Sequence, residues 1–304
     1  MTTRRTVLIA GLSLAVVSLF GPLPALAADG APAGMARISV TVEGSGSDVV
    51  LIPGLNSSPR VWKEMMAALP GHRYHLVKVS GFAGAAPGAN VEGLVAAPVA
   101  EEIAAYIDKN IVGKKPGKPA VIGHSMGGTI GLMLASRHPE AVDRLMVVDM
   151  VPFLGALFGP AGTTAASITP MADGILAGMR AAEPEARRTR AIGTINSMVA
   201  TEAMRPGAIE DSLTSTPDVS ARAYHELVVT DLRPELVNIK APLTVLYIAP
   251  KGFLTAEQAD AAYTAAYASV KGARLKRVDD SAHFLMWDQP KLFQAEVKTF
   301  LAAK

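Results

Sequence analysis

Ala120-Val121-Ile122-Gly123-His124-Ser125-Met126-Gly127-Gly128-Thr129-Ile130 is the stretch that decides how this 304-residue chain is read. Ala120 to Ile122 is a short apolar run, as expected of a strand covered on both faces. Gly123 to Gly127 then spells G-x-S-x-G, and a helical pattern follows as far as Arg137. A serine leaving a sheet in this way must sit on a tight turn, where a side chain at either flanking position would collide with backbone, so glycine is required there. The same turn aims the first N–H groups of the helix at the place where an oxyanion would develop. Ser125 is therefore a candidate nucleophile. The plain alternative is that Gly123, Gly127 and Gly128 only pack a helix against a strand and Ser125 is inert.

Outward from that stretch, strands and helices alternate. Arg37 to Glu43 alternates polar and apolar residues, with Ile38, Val40 and Val42 on one face, and Val49 to Ile52 is apolar throughout. The pattern predicts a helix from Trp62 to Leu69, a strand from His75 to Val79, a Gly-rich loop through Gly81, Gly84 and Gly88, and a helix from about Val99 to Ile111. Beyond the serine helix come a strand at Arg144 to Val148, a strand at Leu243 to Ile248, a helix from Thr255 to Val270, a strand at Arg274 to Val278 and a closing helix from Pro290 to Leu301. Such alternation means an α/β fold: a mainly parallel sheet flanked by helices. Between residues 151 and 233 the strand signal vanishes and helical spacing takes over, so this block reads as a helical cap inserted into a core made of residues 28–150 and 234–304. The glycine loop lacks the G-x-G-x-x-G spacing of a phosphate site and reads as a flexible rim.

A serine hydroxyl needs a base within reach, and histidine is the usual one. Of six histidines, His72 and His75 lie at an early strand, His138 ends the serine helix, His225 falls in the cap and His124 must point away from the turn. His283 follows the last predicted strand, where a parallel sheet presents its ligand-facing ends. It is the candidate general base.

Composition sets the frame. Half the residues are hydrophobic and 18% are charged, a globular balance with a large core. Arg4 and Arg5, an apolar run from Val7 to Phe20 and then Ala25-Leu26-Ala27 have the layout of a signal peptide over residues 1–27, with the paired arginines also suiting twin-arginine export. The expectation is an exported protein, periplasmic or secreted. Cleavage there removes two of 29 Lys and Arg and none of 27 Asp and Glu, leaving zero formal charge. A neutral chain has no electrostatic reason to seek nucleic acid or an anionic membrane, and Lys114, Lys115 and Lys118 read as a solvated loop. No cysteine is present, which removes disulfides, thiol catalysis and thiolate metal sites. Neither a cofactor nor a metal is implied, and oligomeric state is left open.

Taken together, Gly123 to Gly128, Asp149 at a strand end, Ala241-Pro242 leading into a strand, and His283-Phe284 followed by Asp288-Gln289-Pro290 resemble the α/β-hydrolase superfamily, in its esterase and lipase-like group with a lid inserted after the sixth strand. The resemblance covers nearly all of the mature chain. It implies a chain order of serine, acid, histidine. Family members usually carry the acid just after the strand equivalent to Leu243–Ile248, but here that stretch reads Ala249-Pro250-Lys251-Gly252-Phe253, without a carboxylate. Some relatives place it at the end of the preceding core strand, which is Asp149; Glu257, Asp260 and Asp231 stand as alternatives. The oxyanion hole implied by the resemblance is made by the backbone N–H groups of Leu55 and Met126, with Asn56 as alternative to Leu55. Pro53 stands where many relatives have histidine.

What the resemblance implies is a serine hydrolase cleaving carboxylic esters through an acyl-enzyme intermediate, and the layout of residues 1–27 adds export. Val151, Phe153, Leu154, Leu157, Phe158 and the methionines Met171, Met179, Met198 and Met204 make the cap apolar, which favours a small apolar ester. Asn56, Phe153 and Phe158 are its candidate contacts. Thioester, lactone, amide and carbon–carbon bond hydrolysis share the architecture, and a non-catalytic ligand-binding relative is the competing class. Epoxide hydrolases and dehalogenases use aspartate where Ser125 stands.

Overall fold

The structure is a computed structural model that describes residues 36–112 and 117–303. The leader at 1–27, Lys114 and Lys115 lie outside them. Seven strands form one sheet: β1 (Ile38–Gly44), β2 (Ser47–Ile52), β3 (His72–Val79), β4 (Ala120–His124), β5 (Arg144–Val148), β6 (Leu243–Tyr247) and β7 (Arg274–Arg277). Their spatial order is β1-β3-β2-β4-β5-β6-β7, with β1 antiparallel to β3 and every other pairing parallel. β2, β4, β5 and β6 are the apolar runs read from the sequence, and their side chains are buried on both faces of the sheet. β1 is an edge strand, so its apolar face runs out of cover: Ile38 is buried, whereas Val42 is exposed.

Helices α1 (Lys63–Ala68), α2 (Ala96–Ile107) and α3 (Met126–Arg137) accompany the first half of the sheet. Four helices, α4 (Ala165–Ala181), α5 (Pro184–Met198), α6 (Arg205–Thr214) and α7 (Pro217–Val229), fill the connection between β5 and β6, and α8 (Ala256–Ala266), α9 (Leu285–Asp288) and α10 (Pro290–Ala302) complete the chain. These helices run from Ala165 to Val229, and the block follows the fifth strand in the count of described strands. One apolar core lies on each face of the sheet, with Ile103, Ile130 and Val245 in one and Trp62, Leu246 and Phe293 in the other. α4 and α7 share a smaller core of Phe153, Ile168, Ala172 and Val228.

Several element ends differ from the sequence reading for tertiary reasons. β3 starts at His72 because it pairs with β2 from His72 and with β1 from Arg73. α2 starts at Ala96 because Glu226, from α7, accepts the backbone N–H groups of Val95, Ala96 and Ala97 at 2.6, 2.7 and 2.8 Å. Those are the orphan donors of a helix start, satisfied by a carboxylate about 130 residues away. The glycine loop is tied down rather than loose: Gly84 N–H donates to the Thr214 carbonyl, Ala83 N–H to Ser215 Oγ, and Thr216 N–H to the Gly81 carbonyl.

Candidate active site

β4 ends at His124, and Ser125 turns the chain into α3 with φ 54° and ψ −123°. No L residue adopts that conformation freely, so the surroundings must impose it. Ser125 N–H donates to the Val148 carbonyl of β5 at 2.9 Å, and the Ser125 carbonyl accepts from Gly128 and Thr129. The two flanking glycines are obligatory on steric grounds. A methyl group at Gly123 would lie 2.1 Å from the Gly127 carbonyl oxygen, and one at Gly127 would lie 2.1 Å from that of Ile52. Ser125 itself stays partly open to solvent while its neighbours are buried.

The turn after β2 passes directly beside it. Ser57 N–H donates to the Gly54 carbonyl at 3.1 Å and Asn56 sits at φ 57°, the positive φ that the third residue of a type II turn requires. A methyl group at Gly54 would stand 3.1 Å from Ser125 Cβ. Leu55 N–H, in this turn, and Met126 N–H, at the start of α3, make no hydrogen bond among the described residues. Asn56 has a partner that the sequence did not indicate: Ser220 of α7 donates its hydroxyl to Asn56 Oδ1 at 2.6 Å.

Asp149 follows β5, adjacent to β4, with φ 51°. Its Oδ2 accepts from His283 Nδ1 at 2.6 Å, and its Oδ1 accepts from Ile248 N–H at 3.2 Å and Tyr263 Oη–H at 3.1 Å. The carboxylate is only 9% exposed, so these donors replace water. The Asp149–His283 bond commits Nδ1 as the protonated ring nitrogen and leaves Nε2 as the basic one. The other carboxylates considered are engaged elsewhere: Asp260 accepts from Tyr247 and pairs with Arg277, Asp231 pairs with Arg233, and Glu257 is fully exposed.

His283 sits in a loop fixed from both sides. Ala282 N–H donates to Asp288 Oδ2, and the Asp288 carboxylate also accepts from Ala200 N–H and Thr201 N–H in the helical block. His124 donates Nε2–H to the His283 carbonyl at 3.0 Å, and its ring lies 4.6 Å from the His283 ring. Burial first, and then the neighbouring His283 charge, hold His124 uncharged far below the usual imidazole range.

Of the proposed substrate contacts, Asn56 lies in the turn beside Ser125 and Phe158 is exposed at the end of a short turn after Asp149. Phe153 is 1% exposed, packed in the α4–α7 core with the Arg233 guanidinium 4.7 Å over its ring. Phe153 thus packs in this small core, unlike the exposed Phe158. Composition cannot tell a lining phenylalanine from a core one.

The sequence model of the alpha/beta hydrolase family matches residues 49–296. The pimeloyl-acyl-carrier-protein methyl ester esterase of Vibrio cholerae is 25% identical over 219 residues, 72% of this chain and 81% of the relative. That of Aromatoleum aromaticum is 26% identical over 262 residues, 80% of this chain and 94% of the relative. The crystal structure of a hydrolase from Pseudomonas aeruginosa PA01 superposes with a TM-score of 0.72 at 21% identity, covering 88% of this chain and 94% of that one. The elbow, the strand order and a family match spanning most of the chain agree: this protein belongs to the α/β-hydrolase family and is a hydrolase.

Proposed function

We propose that this chain is a serine hydrolase that cleaves small apolar carboxylic esters through an acyl-enzyme. The observation that carries the reading is the 2.6 Å hydrogen bond between His283 Nδ1 and Asp149 Oδ2, in strand-end loops next to the elbow that forces Ser125 outward. Ser125 Oγ attacks the ester carbonyl while His283 Nε2 takes its proton. Leu55 and Met126 N–H groups receive the oxyanion, having no competing acceptor among the described residues. Asp149 keeps His283 in the productive tautomer and stabilises its cation. Collapse expels the alcohol, protonated by His283, and water activated by the same nitrogen then releases the acid and frees Ser125. Ester hydrolysis is also the activity named for the Vibrio and Aromatoleum relatives, both of them methyl ester esterases.

Fluorophosphonate labelling tests the nucleophile. One adduct per chain, lost in Ser125→Ala, supports the proposal; a folded wild-type protein that takes no label ends it. Asp149→Asn is expected to lower kcat on p-nitrophenyl esters by about 10⁴-fold with the fold retained. Near-native turnover in that variant assigns the acid elsewhere.

A further inference from the structure

The inner face of α8 is turned toward Asp149. Ala259, Tyr263 and Tyr267 are all buried along it, at a spacing of four residues. Tyr263 donates its hydroxyl to Asp149 Oδ1 at 3.1 Å, and Tyr267, one turn later, donates to the Met150 carbonyl at 2.6 Å. Tyr247, at the end of β6, stacks on Tyr263 with ring centroids 4.1 Å apart and planes 17° from parallel, and its own hydroxyl goes to Asp260 Oδ1 at 2.8 Å. Tyr263 and Tyr267 thus brace the Asp149 side chain and the carbonyl that follows it, with the Tyr247 ring stacked on Tyr263.

Asp149 has two reasons to need that brace. Its φ of 51° is disfavoured for any residue with a side chain, and the hydrogen bond from Tyr267 to the next carbonyl helps hold it there. Rotation of a carboxylate about χ2 is also soft, so which oxygen faces the histidine depends on what holds the other. Oδ1 has Ile248 N–H at 3.2 Å and Tyr263 Oη–H. We propose that Tyr263 is a positioning residue for the reaction: its hydroxyl fixes the Asp149 carboxylate with Oδ2 toward His283 and takes up part of the charge that would otherwise act on His283 alone. The inference rests on the Ser125–His283–Asp149 reading above. Burial first, and the Asp149 charge second, keep the Tyr263 hydroxyl protonated far above the usual phenol range, so it remains a donor at every working pH.

The titratable groups facing the Asp149–His283 pair come from β4, from α8 and the residue that ends it, and from β6, with β7 behind. They are His124, held uncharged; Tyr263 and Tyr267; and Tyr247, with Asp260 and Arg277 behind it. Removing the Tyr263 hydroxyl leaves more of the carboxylate charge to favour the imidazolium, so the acidic limb of kcat/KM moves to higher pH.

The experiment is Tyr263→Phe, which keeps the stacked ring, assayed on p-nitrophenyl acetate across pH together with the rate of fluorophosphonate labelling. Expected are kcat lower by about tenfold, the rate equivalent of one lost hydrogen bond, KM unchanged because the tyrosine lies behind Asp149, and the acidic limb displaced upward. Tyr247→Phe, which also keeps its ring but serves Asp260, is expected to keep the wild-type profile. A Tyr263→Phe protein that labels and turns over with wild-type kcat and acidic limb overturns the inference and leaves the triad standing; a wild-type protein that takes no label removes both. If Tyr263→Phe does not fold, 3-fluorotyrosine placed at position 263 substitutes for it. The more acidic phenol donates more strongly, so the limb moves downward, and an unmoved limb overturns the inference.

Discussion

Ser125 is held in a backbone conformation that costs stability. Its φ of 54° with ψ of −123° is foreign to L residues, and backbone contacts of Gly123 and Gly127 leave no relaxed alternative. Positions of this kind store on the order of 1–3 kcal/mol of strain. Comparing Ser125→Gly with Ser125→Ala isolates that strain, because neither has the hydroxyl and only alanine keeps a Cβ. The glycine variant is expected to be the more stable by about 1 kcal/mol in denaturant unfolding, after its larger unfolded-state entropy is counted. Equal stabilities would mean that the turn carries no strain. At this scale the sequence was most informative where sterics act locally. The flanking glycines announce the elbow, and His283 is marked by lying after the last strand. That Phe153 is buried and Phe158 exposed leaves no trace in the identity of either residue.

Among the elements, α7 ties the helical block to the rest of the chain at three places. Glu226 covers the start of α2, Arg222 reaches the Asn90 and Gly93 carbonyls, and Ser220 reaches Asn56 in the turn beside Ser125. Hydrogen bonds to a charged acceptor contribute about 1.5–3 kcal/mol each. Glu226→Gln, which removes the charge and turns one acceptor into a donor facing those amides, is therefore expected to destabilise by about 2 kcal/mol or more in urea unfolding. A loss below about 0.5 kcal/mol would show that α2 holds its first turn unaided. Such ties explain why element types were legible and some ends were not. Periodicity located β5 at Arg144–Val148, while α2 starts three residues before the expected Val99 because its cap comes from a distant helix. The Tyr263–Asp149 bond was hidden for the same reason. Spacing alone marks Tyr263 and Tyr267 as one helix face, without saying what that face touches.

For the whole molecule, acid is the expected weakness. His75 is buried between Tyr106 Oη and Asp48, each 2.8 Å from a ring nitrogen, and burial outweighs the Asp48 charge to push it below its ordinary 6.5. His124 is pushed well below that value too, again chiefly by burial. Both bind protons more readily in the unfolded chain. Their contribution to stability is thus complete above about pH 6.5, where neither state is protonated, and is lost as pH falls from there through the depressed folded values. Asp48 adds to the same trend lower down. Burial pushes its carboxyl up, but hydrogen bonds from Arg73 and His75 outweigh this and leave it below its ordinary range. The melting temperature should fall between pH 7 and pH 5, and His75→Gln should flatten that slope; an unchanged slope would exclude His75 as a contributor.

The Asp288 carboxylate binds the backbone of the His283 loop and the backbone of residues 200 and 201 at once. The partners it recruits from the helical block are amides, which every residue except proline supplies. Ala200 is accordingly free to drift to almost any side chain, since its own points into solvent, while the aspartate facing it is not. The two sides of one junction therefore accept mutation very unequally, and side chains at residue 200 can change while the His283 loop keeps its anchor.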